Sequence, residues 1–194
     1  MHQASTTTWT ITRFVSPFTV AIAAILVGLA IVGSVSFASA KTKAAYDHIF
    51  VIVMENHSAS QIIGSAAAPF INELAASYGL AANYTAVSHP SLPNYLALTG
   101  GSTFGLSTDC TGCFQNAPNI AVDRVAASGR AWRAYMESMP SPAFVGDAYP
   151  YMQKHDPFVY YDNIRTDPAQ FANVVPYTQL AKDLSALDST PSYG

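Results

Sequence analysis

Residues 48–58 read HIFVIVMENHS, and this stretch decides which class of fold the sequence predicts. The run from His48 to Met54 is apolar and rich in β-branched side chains, which is typical of a strand buried on both faces of a parallel sheet. Glu55 and Asn56 follow it directly. We therefore predict an α/β fold with a carboxylate and an amide at the carboxyl end of a strand, where open α/β sheets bind ligands.

The rest of the chain alternates between helical and extended patterns. Pro69 opens the amphipathic segment PFINELAASYG, and Gly79 is its predicted stop. The segments after Gly79 also alternate between helical and extended patterns, although their periodicity is less regular. The predicted elements are helices at 69–79, 119–128 and 177–187, strands at 80–87 and 130–136, and an elaborated loop or cap at 137–176.

Residues 87–101, VSHPSLPNYLALTGG, carry the candidate nucleophile Ser91. This serine lies between two prolines and opens a short helical run predicted to stop at two glycines. A serine hydroxyl is a weak nucleophile and needs a neighbouring base or a metal. His89 is two residues away, but the sequence is not GxSxG and neighbours in a turn rarely have triad geometry. A metal is the favoured activator, with a plain helix N-cap as the alternative role of Ser91 and Ser88 as the substitute nucleophile.

The composition excludes some classes of partner. Half of the 194 residues are hydrophobic and 11% are charged, so the chain can bury a core and disorder is not expected. The net charge is -3, and no cluster of Lys and Arg is present. Nucleic acid is therefore not expected as a partner, because its binding requires clustered positive charge.

Residues 1–40 have the features of an export signal. Arg13 precedes an apolar stretch, and the tripeptide Ala38-Ser39-Ala40 fits the small-residue pattern at which signal peptides are cleaved. An uncleaved membrane anchor is the alternative, because the apolar stretch is nearly long enough to span a bilayer. Both readings predict a secreted or extracytoplasmic protein that contacts a membrane only through this segment, if it is retained.

Cys110 and Cys113 are the two cysteines of the chain. In an exported protein, a disulfide between them is the favoured interpretation. Zinc would require two further ligands at suitable spacing, and a redox role would require a thioredoxin-like context. We predict a disulfide that staples a loop.

Several separated motifs carry a family resemblance. In chain order they are VIVMENHSASQIIG, APFINELA, HPSLPNYLALTGG, STDC and KHDPFVYYDNI. This series resembles the phosphoesterase family of bacterial secreted acid phosphatases and phospholipases C, a distant relative of the alkaline phosphatase superfamily. The resemblance covers about residue 46 to the end. It implies a three-layer alkaline phosphatase-like fold with a mostly parallel central sheet, of which this chain would hold the N-terminal part.

The resemblance also implies roles for individual residues. Glu55 and Asn56 match the family's first metal-binding pair, and Ser91 matches a nucleophile that also contacts the metal. Asn94 matches an amide that steadies a phosphoryl oxygen, and His155 resembles a histidine near the phosphate. The implied mechanism is an in-line displacement through a phosphoserine that water then hydrolyses. The implied cofactor is a divalent metal ion, and Mg, Ca, Mn and Zn all remain open.

The implied function is that of a secreted, metal-dependent phosphomonoesterase of acid-phosphatase type, acting on a small phosphate ester or a phospholipid. A phosphodiesterase of phospholipase C type is the alternative enzyme, and a non-catalytic fragment or surface binding module is the alternative outside enzymes. The family's remaining metal ligands, an aspartate-rich cluster with a histidine, belong to a C-terminal portion. Residues 41–194 are therefore expected to be a phosphoesterase domain truncated at its C-terminus and inactive by itself.

Overall fold

A computed structural model describes residues 46–194, and the predicted signal peptide or anchor lies outside the described residues. No helix within 46–194 has the length and apolarity that crossing a bilayer requires. The α-helices are α1 Ala59–Ile62, α2 Pro69–Ser77, α3 Ser91–Gly100, α4 Asp162–Arg165, α5 Pro168–Phe171 and α6 Leu180–Asp183, and the strands are β1 Ala134–Met136 and β2 Val174–Pro176. A π-helical turn spans Ala121–Val125, and 3₁₀ turns span Ala126–Ser128, Gln153–His155, Pro157–Tyr160 and Tyr177–Gln179.

The two strands form a small parallel sheet. Ala134 lies opposite Val174, and Met136 lies opposite Pro176. In the sequence, helical and 3₁₀ turns precede, separate and follow the two strands. The mixture of helices with a parallel sheet agrees with the predicted α/β class, while the three-layer alkaline phosphatase-like architecture stays a prediction.

The predicted strand at 48–54 differs from the structure. This segment pairs along one side with the last residues of the chain: the Ile49 N–H donates to the Ser192 carbonyl at 2.9 Å, and the Gly194 N–H donates to the Ile49 carbonyl at 3.0 Å. Ile52 is 85% exposed. The prediction of burial on both faces is wrong for the described residues, because no second strand or helix among them covers the other side of this segment.

The predicted helix after Pro69 is present, but its apolar face is not buried. Phe70 is 68% exposed and Tyr78 is 87% exposed. The strand predicted at 80–87 is wrong, since these residues form turns. An extended segment needs a strand edge to pair with, and none of the described strands lies beside this one.

The segment at 137–176, predicted as a loop or cap, instead supplies much of the core. Its successive 3₁₀ and α-helical turns direct aromatic and branched side chains inwards. They pack against the buried side of α3. The fully or nearly fully buried residues of this segment include Phe158, Val159, Tyr160, Tyr161, Ile164 and Val174.

Helix α3 is anchored in this core. Leu92 and Leu96, one turn apart, are fully buried on the same side of the helix. Gly101 ends the helix in the left-handed conformation at φ 74°, as the double glycine predicted. The first turn of α3 is therefore held in a fixed position. Ahead of the core segment, the predicted disulfide between Cys110 and Cys113 is present.

Candidate active site

Ser91 is the first residue of α3, and its N-cap is Pro90. The side chain of Ser91 is half-buried and makes no hydrogen bond to the residues that the structure describes. The alternative role of Ser91 as an N-cap is therefore wrong, because the cap position belongs to the preceding proline. Its hydroxyl lies at the helix N-terminus, where unpaired backbone N–H groups create a partial positive charge.

Tyr95 connects the first turn of α3 to Glu55. It follows Ser91 by one helical turn and so projects from the same side of the helix. The Tyr95 hydroxyl donates a 2.7 Å hydrogen bond to Oε1 of Glu55. The same Oε1 lies 3.4 Å from Nε2 of His155, whose ring centroid is 5.6 Å from that of Tyr95. Glu55 and His155, which were both predicted as site residues, therefore meet beside the helix that begins with Ser91.

The Nε2 atom of His155 is buried and has no hydrogen-bond partner among the described residues. Its approach to Glu55 is close enough for an ion pair if the ring is protonated, but the bond geometry is not that of a hydrogen bond. The side chain as a whole stays 31% exposed. An unpaired ring nitrogen beside a carboxylate is suited to accept and donate a proton.

Asn94 forms hydrogen bonds to the loop that precedes Ser91. Its Oδ1 accepts hydrogen bonds from the Val87 and Ser88 N–H groups, both at 3.0 Å. Its Nδ2 donates to the carbonyls of Ser88 at 2.8 Å and Pro90 at 2.9 Å. Both amide protons are thus used in holding the 87–90 turn, and the phosphoryl contact of Asn94 stays a prediction.

Asn56 and His57 lie beside Glu55 on the exposed surface. Asn56 adopts the left-handed conformation at φ 57°, which asparagine tolerates better than most residues. Its side chain contacts none of the other predicted site residues through a hydrogen bond within 46–194. Nδ1 of His57 lies 3.0 Å from the Glu55 carbonyl, so this ring orients the turn.

Asp109 and Lys154 join the site without having been predicted. Oδ1 of Asp109 accepts the N–H of Leu92, the second residue of α3, at 3.0 Å. Its Oδ2 lies 2.8 Å from Nζ of Lys154, which precedes His155. One carboxylate thus satisfies an unpaired N–H of the helix start and fixes a cation beside it.

The charges of these groups follow from their surroundings. Burial and the hydrogen bond to Glu55 both raise the pKa of Tyr95, so its hydroxyl stays a donor. Burial alone would raise the pKa of Asp109, but the Leu92 N–H and the Lys154 ammonium outweigh it and lower the pKa overall. The hydrogen bond to Asp109 raises the pKa of Lys154. Asp109 and Lys154 therefore form a charged pair at neutral pH.

The predicted metal ligands among the described residues are all oxygen donors. Within 46–194, no group of three or more His, Cys, Asp or Glu side chains is arranged to hold an ion. Glu55, Asn56 and Ser91 are all hard oxygen donors, and Oε2 of Glu55 makes no hydrogen bond to the described residues. One carboxylate with neutral oxygens, water and substrate phosphate is the kind of shell that Mg²⁺ accepts. The donor chemistry fits a hard divalent cation, whose remaining ligands these residues do not provide.

Two sequence features could have identified the missed residues. Tyr95 follows Ser91 by the spacing that places two side chains on one side of a helix. Asp109 and Lys154 belong to the STDC and KHDPF motifs. Their contact with each other could not have been predicted, because it joins segments 45 residues apart.

Comparison with known proteins gives a family match and several similar proteins. The model of the phosphoesterase family matches residues 63–188, which include Ser91, Asn94 and His155. A phosphatidylinositol-3-phosphatase from Mycobacterium tuberculosis is 39% identical over 123 residues, covering 62% of this chain and 41% of that protein. An acid phosphatase from Aspergillus fumigatus is 30% identical over 149 residues, covering 73% of this chain and 33% of that protein.

A probable acid phosphatase from Kluyveromyces lactis is also 30% identical, over 159 residues that cover 77% of this chain and 37% of that protein. The chain thus spans about two fifths or less of the length of these relatives. No solved structure matches the chain.

Proposed function

Because this chain belongs to the phosphoesterase family, we propose that the protein containing it is a secreted, metal-dependent phosphomonoesterase of acid-phosphatase type. The observation that carries the proposal is the contact of Glu55, Tyr95 and His155 with one another beside the start of the Ser91 helix. Tyr95 and His155 lie inside the matched family region, and Glu55 lies just before it. The names of the relatives support phosphate esters as the substrate class. The disulfide is compatible with an extracytoplasmic location.

Ser91 is the residue that we assign to nucleophilic attack. It has an unpaired hydroxyl within the described residues and begins a helix whose core side is immobilised by Leu92 and Leu96. The Ser91 oxygen forms a bond to phosphorus as the bond from phosphorus to the ester oxygen breaks. Water then attacks the phosphoserine, which releases phosphate and restores the hydroxyl.

His155 is the residue that we assign to proton transfer. Its Nε2 takes the Ser91 proton in the first step and returns it to the departing ester oxygen. In the second step, the same atom takes a proton from the attacking water and returns it to Ser91. Glu55 stabilises the protonated ring from 3.4 Å, and Tyr95 holds the carboxylate in this orientation.

A divalent cation is part of the proposal, with Glu55, Asn56 and Ser91 as the residues of this chain that would contact it. When bound, such an ion lowers the pKa of a coordinated hydroxyl and offsets phosphoryl charge. The Glu55→Ala variant of the complete protein should contain less metal by elemental analysis. Glu73→Ala, which removes an exposed carboxylate on α2, should not. Equal metal content in both variants would remove Glu55 from the metal site.

The activity is tested on the complete protein with added divalent metal. We expect hydrolysis of p-nitrophenyl phosphate, and loss of that hydrolysis in Ser91→Ala but not in Ser128→Ala, a matched change outside the site. Hydrolysis of p-nitrophenyl phosphorylcholine alone would instead support the phospholipase C type. Hydrolysis of neither ester would support a non-catalytic binding module and contradict the proposal.

A further inference from the structure

Apart from the proposed divalent cation, the groups assigned above to the candidate site include no Lys or Arg side chain. A phosphate monoester carries up to two negative charges, and Glu55 and Asp109 are both carboxylates. Within the described residues, Lys154 is the one Lys or Arg side chain that pairs with any residue of this site. Arg133 and Arg165 instead pair with Asp183 and Asp162.

Asp109 holds the Lys154 ammonium next to the start of α3. The same carboxylate accepts the Leu92 N–H through Oδ1 and contacts Nζ of Lys154 through Oδ2. Leu92 is the residue after Ser91. Asp109 therefore fixes the Lys154 ammonium at the end of α3 that carries Ser91. The partial positive charge at this end of the helix also favours an anion.

The backbone that carries Lys154 is fixed by its buried neighbour. Gln153 is fully buried. Its N–H donates to Oδ1 of Asp147 at 2.9 Å, its side-chain amide donates to the Thr111 carbonyl at 2.8 Å, and its Oε1 accepts the Gly146 N–H at 2.7 Å. Lys154 therefore extends from a rigid turn, which a residue that positions a substrate requires.

The ammonium group of Lys154 has hydrogen-bond donors left for a ligand. An ammonium group has three donors, and Asp109 is its one hydrogen-bond partner within 46–194. The side chain is 31% exposed, so solutes can reach it. A lysine ammonium contacts phosphate oxygens as a mobile point charge.

We propose that Lys154 contacts the non-bridging oxygens of the phosphate ester that Ser91 attacks, and so favours monoesters over diesters. This inference rests on the proposed function. A monoester dianion presents one more charged oxygen than a diester monoanion, so the same ammonium stabilises it more strongly. The purely structural alternative is that Lys154 only ties the disulfide loop to the core through Asp109.

The experiment compares Lys154→Met and Lys154→Arg in the complete protein, with Lys182→Met as a matched control. Lys182 is exposed on α6 and outside the site. We expect Lys154→Met to lower kcat/KM for p-nitrophenyl phosphate about 10- to 100-fold, the effect of losing one hydrogen bond to a charged group. We expect a smaller loss for bis-p-nitrophenyl phosphate, rescue by Lys154→Arg, and no change in Lys182→Met. Equal losses for both esters would overturn the inference.

Binding of inorganic phosphate by calorimetry provides a readout that does not depend on turnover. The wild type should bind phosphate, Lys154→Met should bind it at least about 10-fold more weakly, and Lys154→Arg should be close to the wild type. Unchanged affinity in Lys154→Met, or no binding by the wild type, would overturn the inference. Phosphate binding that depends on Lys154 in a protein without esterase activity would instead contradict the proposed function and support only the contact between Lys154 and phosphate.

Discussion

The hydroxyl of Tyr95 donates a 2.7 Å hydrogen bond to Oε1 of Glu55, across 40 residues of sequence. Since Tyr95 follows Ser91 by one turn of α3, this bond fixes the carboxylate on the side of the helix that carries Ser91. The same oxygen approaches His155. We therefore expect Tyr95 to act as a positioning residue through Glu55.

The Tyr95→Phe variant should lower kcat while KM changes little. Its ring can remain packed, but the loss of a hydrogen bond to a charged group frees Glu55 to turn, and we expect about a 10-fold loss. Steady-state kinetics on p-nitrophenyl phosphate measure the effect, with Tyr177→Phe as a control at an exposed tyrosine. A double variant with Glu55→Gln should lose less than the two single effects combined. Additive losses would show that Tyr95 does not act through Glu55.

The Gly100→Ala variant should destabilise the fold at the end of α3. A Cβ there would lie 2.5 Å from the Tyr161 hydroxyl oxygen and 2.8 Å from Cζ of Phe104, and the surrounding core cannot move freely. We expect a loss of about 1–3 kcal/mol in the free energy of unfolding, measured by urea denaturation. Gly79→Ala is the matched control, since a Cβ there meets no atom within 4 Å. Equal stability of the two variants would be evidence against this packing.

Removal of the disulfide should cost stability and loosen the loop that carries Asp109. The bridge closes a short loop, for which loop-closure entropy predicts about 2 kcal/mol. We expect the double variant Cys110→Ser, Cys113→Ser to unfold at a lower urea concentration. A reductant should lower the midpoint of the wild type and leave that of the double variant unchanged. A wild-type midpoint that does not respond to the reductant would contradict the assignment.

Stability should depend on pH through Asp156. This carboxyl is fully buried, and burial raises its pKa to about 7 against the hydrogen bonds from the Tyr151 hydroxyl and the Phe158 N–H. Its ordinary pKa is 3.8. Between these values the folded state holds the proton more tightly than the unfolded state, so the free energy of unfolding falls as pH rises through this window.

The Asp156→Asn variant should remove this dependence, because an amide stays neutral. Urea denaturation between about pH 4 and 8 should show a smaller fall for Asp156→Asn than for the wild type, by on the order of a few kcal/mol. Asp188→Asn, at an exposed carboxylate, should keep the wild-type slope. The same slope in wild type and Asp156→Asn would show that Asp156 is not the titrating group.

Features set by local sequence were predictable. The start of α3 at Ser91 and its end at Gly101 follow from proline and glycine positions, and the disulfide follows from close spacing in an export context. The site residues Glu55 and His155 were predicted individually, from the end of an apolar run and from a family motif.

Features set by contacts between distant segments were not predictable. The apolar run at 48–54 resembles a buried strand, but these residues are largely exposed among the described residues. The pattern of side chains indicates which residues can be buried, but it does not indicate which segments cover them. Residues 137–176 resemble a loop because their short turns lack a regular period, yet Tyr160 and Tyr161 lie in the core. The bonds from Tyr95 to Glu55 and from Asp109 to Lys154 depend on the same long-range packing.

The most direct test of the central claim is whether Ser91 becomes phosphorylated during turnover. The complete protein is mixed with p-nitrophenyl phosphate, quenched in acid and digested, and its peptides are analysed by mass spectrometry. We predict one phosphoryl group on Ser91, absent from the Ser91→Ala variant and from a sample without substrate. Turnover with the phosphoryl group on Ser88, or full activity in Ser91→Ala, would contradict the account.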